Sequence, residues 1–112
     1  MAIVRVDSLR TLAFGGISAA YAPVGAAITH NWRTMKLTNN TNGDLFISLD
    51  GVTNNIFLPA SSFTLYDLAT NAAPINESSS FVLQIGTQFY AKQSTAPSSG
   101  ALWIEGIYSQ GE

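Results

Sequence analysis

The chain has 112 residues, of which 46% are hydrophobic and 11% charged, and a formal net charge of −2. This composition excludes a disordered chain, which needs low hydrophobicity and high net charge. Five Lys and Arg residues in all are too few for the basic field that a phosphate backbone requires.

Length predicts one domain spanning residues 1–112, with a folded surface of roughly 6,000 Å² by area scaling. Cysteine is absent, which excludes disulfides and thiolate metal sites. His30 is the one histidine, too few for a His-based zinc site within a single chain. No apolar run approaches the roughly 18 residues of a membrane-spanning helix. Residues 1–7 place charges on both sides of a short apolar patch, unlike a secretory signal. The expectation is a chain made in a cytoplasm, with no cofactor, metal, nucleic-acid or membrane partner.

Turn-forming Asn, Thr, Ser, Gly and Pro recur about every ten residues between short apolar runs, which is the rhythm of an antiparallel β-sandwich or barrel. The spacing predicts an all-β fold of roughly seven to nine strands. Residues 1–14 read either as an extended N-terminal arm or as an edge strand of the same domain. Within them, residues 9–14 suit one helical turn or a strand, and Gly15-Gly16 ends either. Residues 14–31 are apolar and rich in small side chains. They suit a strand pair buried on both faces, or a segment laid across another subunit.

Alternation then becomes clear. Residues 33–38 form a strand with Met35 and Leu37 inward. Residues 44–50 place Leu45, Ile47 and Leu49 on one face and Phe46 on the other. The Asn42-Gly43 turn joins these two strands as a hairpin. Asp50-Gly51 is a second turn, leading to Ile56-Phe57-Leu58, and Pro59 stops the ladder there. Residues 62–67 put Phe63, Leu65 and Asp67 on one face, with Thr64 and Tyr66 opposite. Phe63 and Leu65 are expected inward and Tyr66 outward. Residues 69–80 read as a long loop. Residues 81–85, 88–93 and 101–108 complete the strands, with Trp103 opposite Leu102 and Ile104.

Few residues suggest chemistry. His30 has no Gly-x-Ser-x-Gly elbow to serve, so a structural histidine is the simpler reading. Asp44 and Asp50 share a strand face but lie roughly 20 Å apart by strand rise, too far for a catalytic pair. Asn40, Asn42 and Asp44 lack the glycine and bidentate glutamate of a calcium loop. The expectation is no enzyme. The aromatics opposite the apolar face (Phe46, Tyr66, Trp103, and Tyr90 opposite Phe89) admit three readings: a second buried face, a sugar-stacking platform, or a protein interface, where aromatics are enriched and charge is depleted. The low charge favours protein contact.

Several segments taken together are familiar: residues 7–15 (DSLRTLAFG), the hairpin 39–51 (NNTNGDLFISLDG), residues 63–67 (FTLYD), residues 84–90 (QIGTQFY) and the closing Tyr108-Ser109-Gln110-Gly111. Over most of its length the chain resembles small virion proteins of tailed bacteriophages. The nearest likeness is to the capsid decoration, or cement, proteins of the short-tailed epsilon15-like group. The resemblance implies a jelly-roll sandwich on the capsid exterior, made in the bacterial host, paired as a dimer or trimer at symmetry axes and clamping neighbouring major-capsid subunits. It leaves open a place in the tail or head-to-tail joint, or a receptor- or glycan-binding role. The residues expected to make protein contact are Ile3, Val4, Val6, Leu9, Leu12 and Phe14 of the N-terminal segment, with Tyr66, Tyr90 and Trp103.

Overall fold

The computed structural model describes residues 3–68 and 82–110. Their nine strands are β1 (Ile3–Val6), β2 (Arg10–Ala13), β3 (Ala22–Pro23), β4 (Trp32–Asn39), β5 (Leu45–Ser48), β6 (Ile56–Leu58), β7 (Ser62–Asp67), β8 (Tyr90–Gln93) and β9 (Ala101–Gln110). A single 3-10 turn, Phe14–Gly16, follows β2, so residues 9–14 realise both options the sequence leaves open.

The strands pair as one long ribbon. β5 pairs with β6 at its tip, then β4 with β7, β3 with β8, and β2 with β9, all antiparallel. The ribbon is wound so that successive pairs fall in different sheets. One sheet runs β1-β9-β4-β7, with β2 also on β9; the other runs β3-β8-β5-β6. The architecture is therefore an antiparallel β-sandwich.

Residues 3–13 are part of that sandwich. β1 and β2 dock in line on the ten-residue β9, covering Ile107 to Gln110 and Ala101 to Ile104 respectively. The stretch read as an arm or an edge strand is an edge strand in two pieces. Between them, the Asp7 N–H donates to the Gly106 carbonyl at 2.8 Å.

The core lies between the sheets. Met35 and Leu37 of β4, Leu102 and Ile104 of β9, Leu45 and Ile47 of β5, Leu58 of β6 and Ala91 of β8 are all buried. Period-two alternation delivers them to one side of each sheet. Residues 14–31 do not form a strand pair. Apart from the 3-10 turn and the two-residue β3 they are irregular, and they insert Ile17, Val24 and Ile28 into the core. Val24 N–H bonds the Phe89 carbonyl, and Ile28 exchanges backbone hydrogen bonds with Gly86 and Thr87. The segment is laid across its own sandwich.

The largest core side chain is Trp32, which is fully buried. Its indole lies on Gly106, where an added Cβ would come within 2.1 Å of the ring. The indole stacks on Phe89 at 5.6 Å between centroids and donates its N–H to Asp7 Oδ2 at 2.8 Å. Arg10 lies over the same ring at 5.2 Å. Asn39, also buried, ties the turn between β4 and β5 to β6. Its Nδ2 donates to the carbonyls of Gly43 and Leu58, and its Oδ1 accepts from the Thr41 N–H and hydroxyl.

Three expectations need correction. The strands on either side of Asn42-Gly43 do not form a hairpin: β4 pairs with β7 and β9, β5 pairs with β6 and β8, and the turn passes the chain from one sheet to the other. Residues 81–85 do not make a regular strand. Leu83 forms an isolated bridge to Trp32 and Ile85 is exposed, while Phe81 and the loop 69–80 lie outside the described residues. The strand β7 also faces the other way: Phe63 and Leu65 are 63% and 58% exposed.

Candidate protein interface

The exposed apolar surface follows from pairing register. Residues directly opposite in an antiparallel ladder project to the same face. On β4, Trp32, Met35, Leu37 and Asn39 are buried, so Thr34, Lys36 and Thr38 face outward. Their partners on β7 are Asp67, Leu65 and Phe63. Their partners on β9 are Ile107, Glu105 and Trp103. The same face continues through Val6, opposite Ile107, and Val4, opposite Ser109. At the other end it continues through Thr11, opposite Trp103.

The outer face of the five-stranded sheet thus carries Val4, Val6, Phe63, Leu65, Trp103 and Ile107. Val4 and Val6 are 67% and 71% exposed, and Trp103 is half-buried between its threonine neighbours. The charges on this face are Lys36, Glu105 and Asp67. The Lys36 ammonium lies 4.9 Å over the Phe63 ring, so its charge caps an apolar group. An apolar, nearly neutral sheet face of this kind has the composition found in the centre of protein interfaces.

Of the residues expected to make contact, the structure brings together Val4, Val6 and Trp103. The Ile3 backbone pairs with Gln110, and the Ile3 side chain lies outside the described residues. Leu9 is exposed in the link between β1 and β2, and Phe14 is exposed at the start of the 3-10 turn. Leu12 turns inward and packs on the core, because it is opposite the buried Leu102. Tyr66 is opposite buried Met35, so its exposure comes from lying on the outermost strand. Tyr90 belongs to the four-stranded sheet and lies against Gly51.

Phe63 and Leu65 are contact candidates that the sequence reading assigned to the core face; Ile107, which alternation puts on the Trp103 face, is a third that it did not name. One signal for the first two was present: Asp67 shares their parity, and an aspartate on the core side would be buried without a partner.

The remaining polar groups are structural. His30 is exposed and stacks on Tyr108 at 3.9 Å, with the rings 2° from parallel. Burial acts to raise the Asp7 carboxyl, but the Trp32 indole N–H, the Ser8 N–H and the positive charge of Arg10 outweigh it and hold the group below its ordinary value. The Asp50 carboxylate accepts from the Thr53 and Val52 N–H groups and from the Ser48 and Thr53 hydroxyls, which keep it ionised well below the usual range. Among the described residues, no three His, Cys, Asp or Glu side chains converge as a metal site, and no helix is long and apolar enough to cross a membrane.

No family model matches the chain, and no curated protein sequence does. Two solved structures are similar in fold. A chain in the capsid asymmetric unit of cyanophage Pam1 aligns with a TM-score of 0.56 at 14% identity, over 96% of this chain and 85% of that one. The Dit hub protein of phage SPP1 aligns at a TM-score of 0.40 and 15% identity, over 95% of this chain and 48% of that one. The chain shares its β-sandwich fold with the Pam1 capsid chain.

Proposed function

We propose that this chain is a structural protein of a phage virion, a decoration or cement protein that binds the assembled capsid shell and clamps neighbouring major-capsid subunits. The observation that carries this reading is the outer face of the five-stranded sheet, where Val4, Val6, Phe63 and Leu65 are each more than half exposed. A fold shared with a chain of a phage capsid supports the same reading. So does the ribbon pairing β2–β9, β3–β8, β4–β7 and β5–β6, which is how a jelly roll winds.

The physical role needs no chemistry. A ligand that binds the assembled lattice more tightly than free subunits stabilises the lattice by mass action. A flat sheet face suits a site formed by two subunits at once. β7 suits self-pairing at a symmetry axis: it is the outermost strand of its sheet, pairs with β4 without a bulge over all six residues, and contains no Pro or Lys to block a further strand.

The test is co-sedimentation with shells assembled from the major capsid protein of the same phage. The expected result is saturable binding to shells, no binding to free subunits and a higher shell melting temperature. Binding to tail assemblies in place of shells, or equal binding to free subunits, overturns the cement role.

A further inference from the structure

We propose that the outer face of the four-stranded sheet is a carbohydrate site that takes an acidic sugar residue, such as a uronic acid. This face lies on the opposite side of the sandwich from the protein-binding face, and the inference stands apart from shell binding.

Phe46 of β5 is opposite Phe57 of β6 and Lys92 of β8, so all three project outward together. The Phe46 and Phe57 rings are 5.5 Å apart and tilted by 55°, and Phe57 is 52% exposed. The Lys92 ammonium lies 4.8 Å from the Tyr21 ring and 5.8 Å from the Phe46 ring. The Tyr21 hydroxyl donates to Asn54 Oδ1, which leaves the Nδ2 donors of this exposed amide facing solvent.

Three rings, one ammonium and one amide in contiguous array match the chemistry of a sugar. The C–H face of a pyranose covers an exposed ring, while its hydroxyls need fixed polar donors at the ring's edge. The two sheets differ on this point: on the five-stranded sheet Phe63 and Trp103 lie on either side of Thr38 in the ladder, so its rings are not contiguous.

The cation selects the acidic form. Lys92 makes no ion pair among the described residues, and its neighbouring rings leave its three donors unsatisfied. The negative charge of Asp50 is felt at Tyr21, but its oxygens are engaged by Ser48, Val52 and Thr53 of its own turn and make no ion pair with Lys92.

The test is titration of the whole isotope-labelled chain with trigalacturonate and, separately, with neutral galactotriose, followed by amide shifts. The expected result is perturbation at Tyr21, Asn54, Phe57 and Lys92, with none on β4 or β9. Binding of the acidic sugar should be about tenfold tighter, the worth of one charge-assisted hydrogen bond. Lys92→Gln should erase that preference while leaving neutral binding. Phe57→Ala and Asn54→Ala, both at exposed positions, should weaken both sugars while the spectrum stays folded. Absence of perturbation by either sugar, shifts confined to the other face, or equal shifts from a glutamate-rich peptide overturns the proposal, the last by assigning the face to protein.

Discussion

Gly106 shows how one missing methyl group positions a core. Its Cα supports the Trp32 indole, and the nearest ring atom is 2.1 Å from where a Cβ would stand. Gly106→Ala therefore forces the largest core side chain off its seat. Overpacking of a tight core costs about 1–3 kcal/mol and occasionally more, and this site belongs at the upper end. Urea unfolding with an unchanged m-value checks it. Asn39→Ala should cost about 2 kcal/mol, because its buried amide donates to the Gly43 and Leu58 carbonyls and accepts from Thr41. At Asp7 and Asp50 the folded carboxyls titrate below their ordinary value of 3.8. A depressed folded value means the stabilisation is complete above the unfolded value and is lost as pH falls below it. The chain should therefore lose stability below about pH 4, and Asp7→Asn should flatten that loss in acid denaturation curves.

At the scale of the element, the strands differ in how openly their sequences declare them. β4 and β5 were legible as strands because Met35, Leu37, Leu45 and Ile47 alternate with polar neighbours, but the Asn42-Gly43 turn carries the chain from one sheet to the other and does not close a hairpin. β7 was legible as a strand but not in its orientation. Phe63, Leu65, Thr64 and Tyr66 make both faces moderately apolar, and facing is set by register against β4, which one sequence does not contain. The placement of β1 and β2 was also hidden, because an apolar N-terminal segment looks the same docked on its own β9 or on a neighbour. The structure separates them by function. β1 carries Val4 and Val6 outward, whereas Asp7, Arg10 and Leu12 close over Trp32 and the core. Deleting residues 1–6 should leave a cooperative unfolding transition and weaken shell binding. Deleting residues 1–14 should abolish the transition itself, since it strips one side of β9 and uncovers the indole. Circular dichroism melts of the two truncations check this pair of outcomes.

At the scale of the whole molecule, the two sheets share a core but present different outer faces. One is aliphatic and nearly neutral around Phe63 and Leu65; the other is aromatic around Phe46, Phe57 and Lys92. A sandwich built this way can hold a protein lattice on one side and face outward on the other. The candidate site was partly legible: Val4, Val6 and Trp103 were named from composition and parity, and parity also puts Ile107 beside Trp103, whereas Phe63 and Leu65 joined them only through strand order. The central claim is that the aliphatic face is the one that binds the shell. It is tested most directly by comparing shell occupancy of a Phe63→Glu, Leu65→Glu double variant with that of Phe57→Glu. All three positions are more than half exposed, so each substitution should shift stability by no more than about 0.5 kcal/mol. The account predicts that the double variant leaves shells bare while Phe57→Glu decorates them as fully as the natural chain. Full decoration by the double variant, with loss confined to Phe57→Glu, would contradict it.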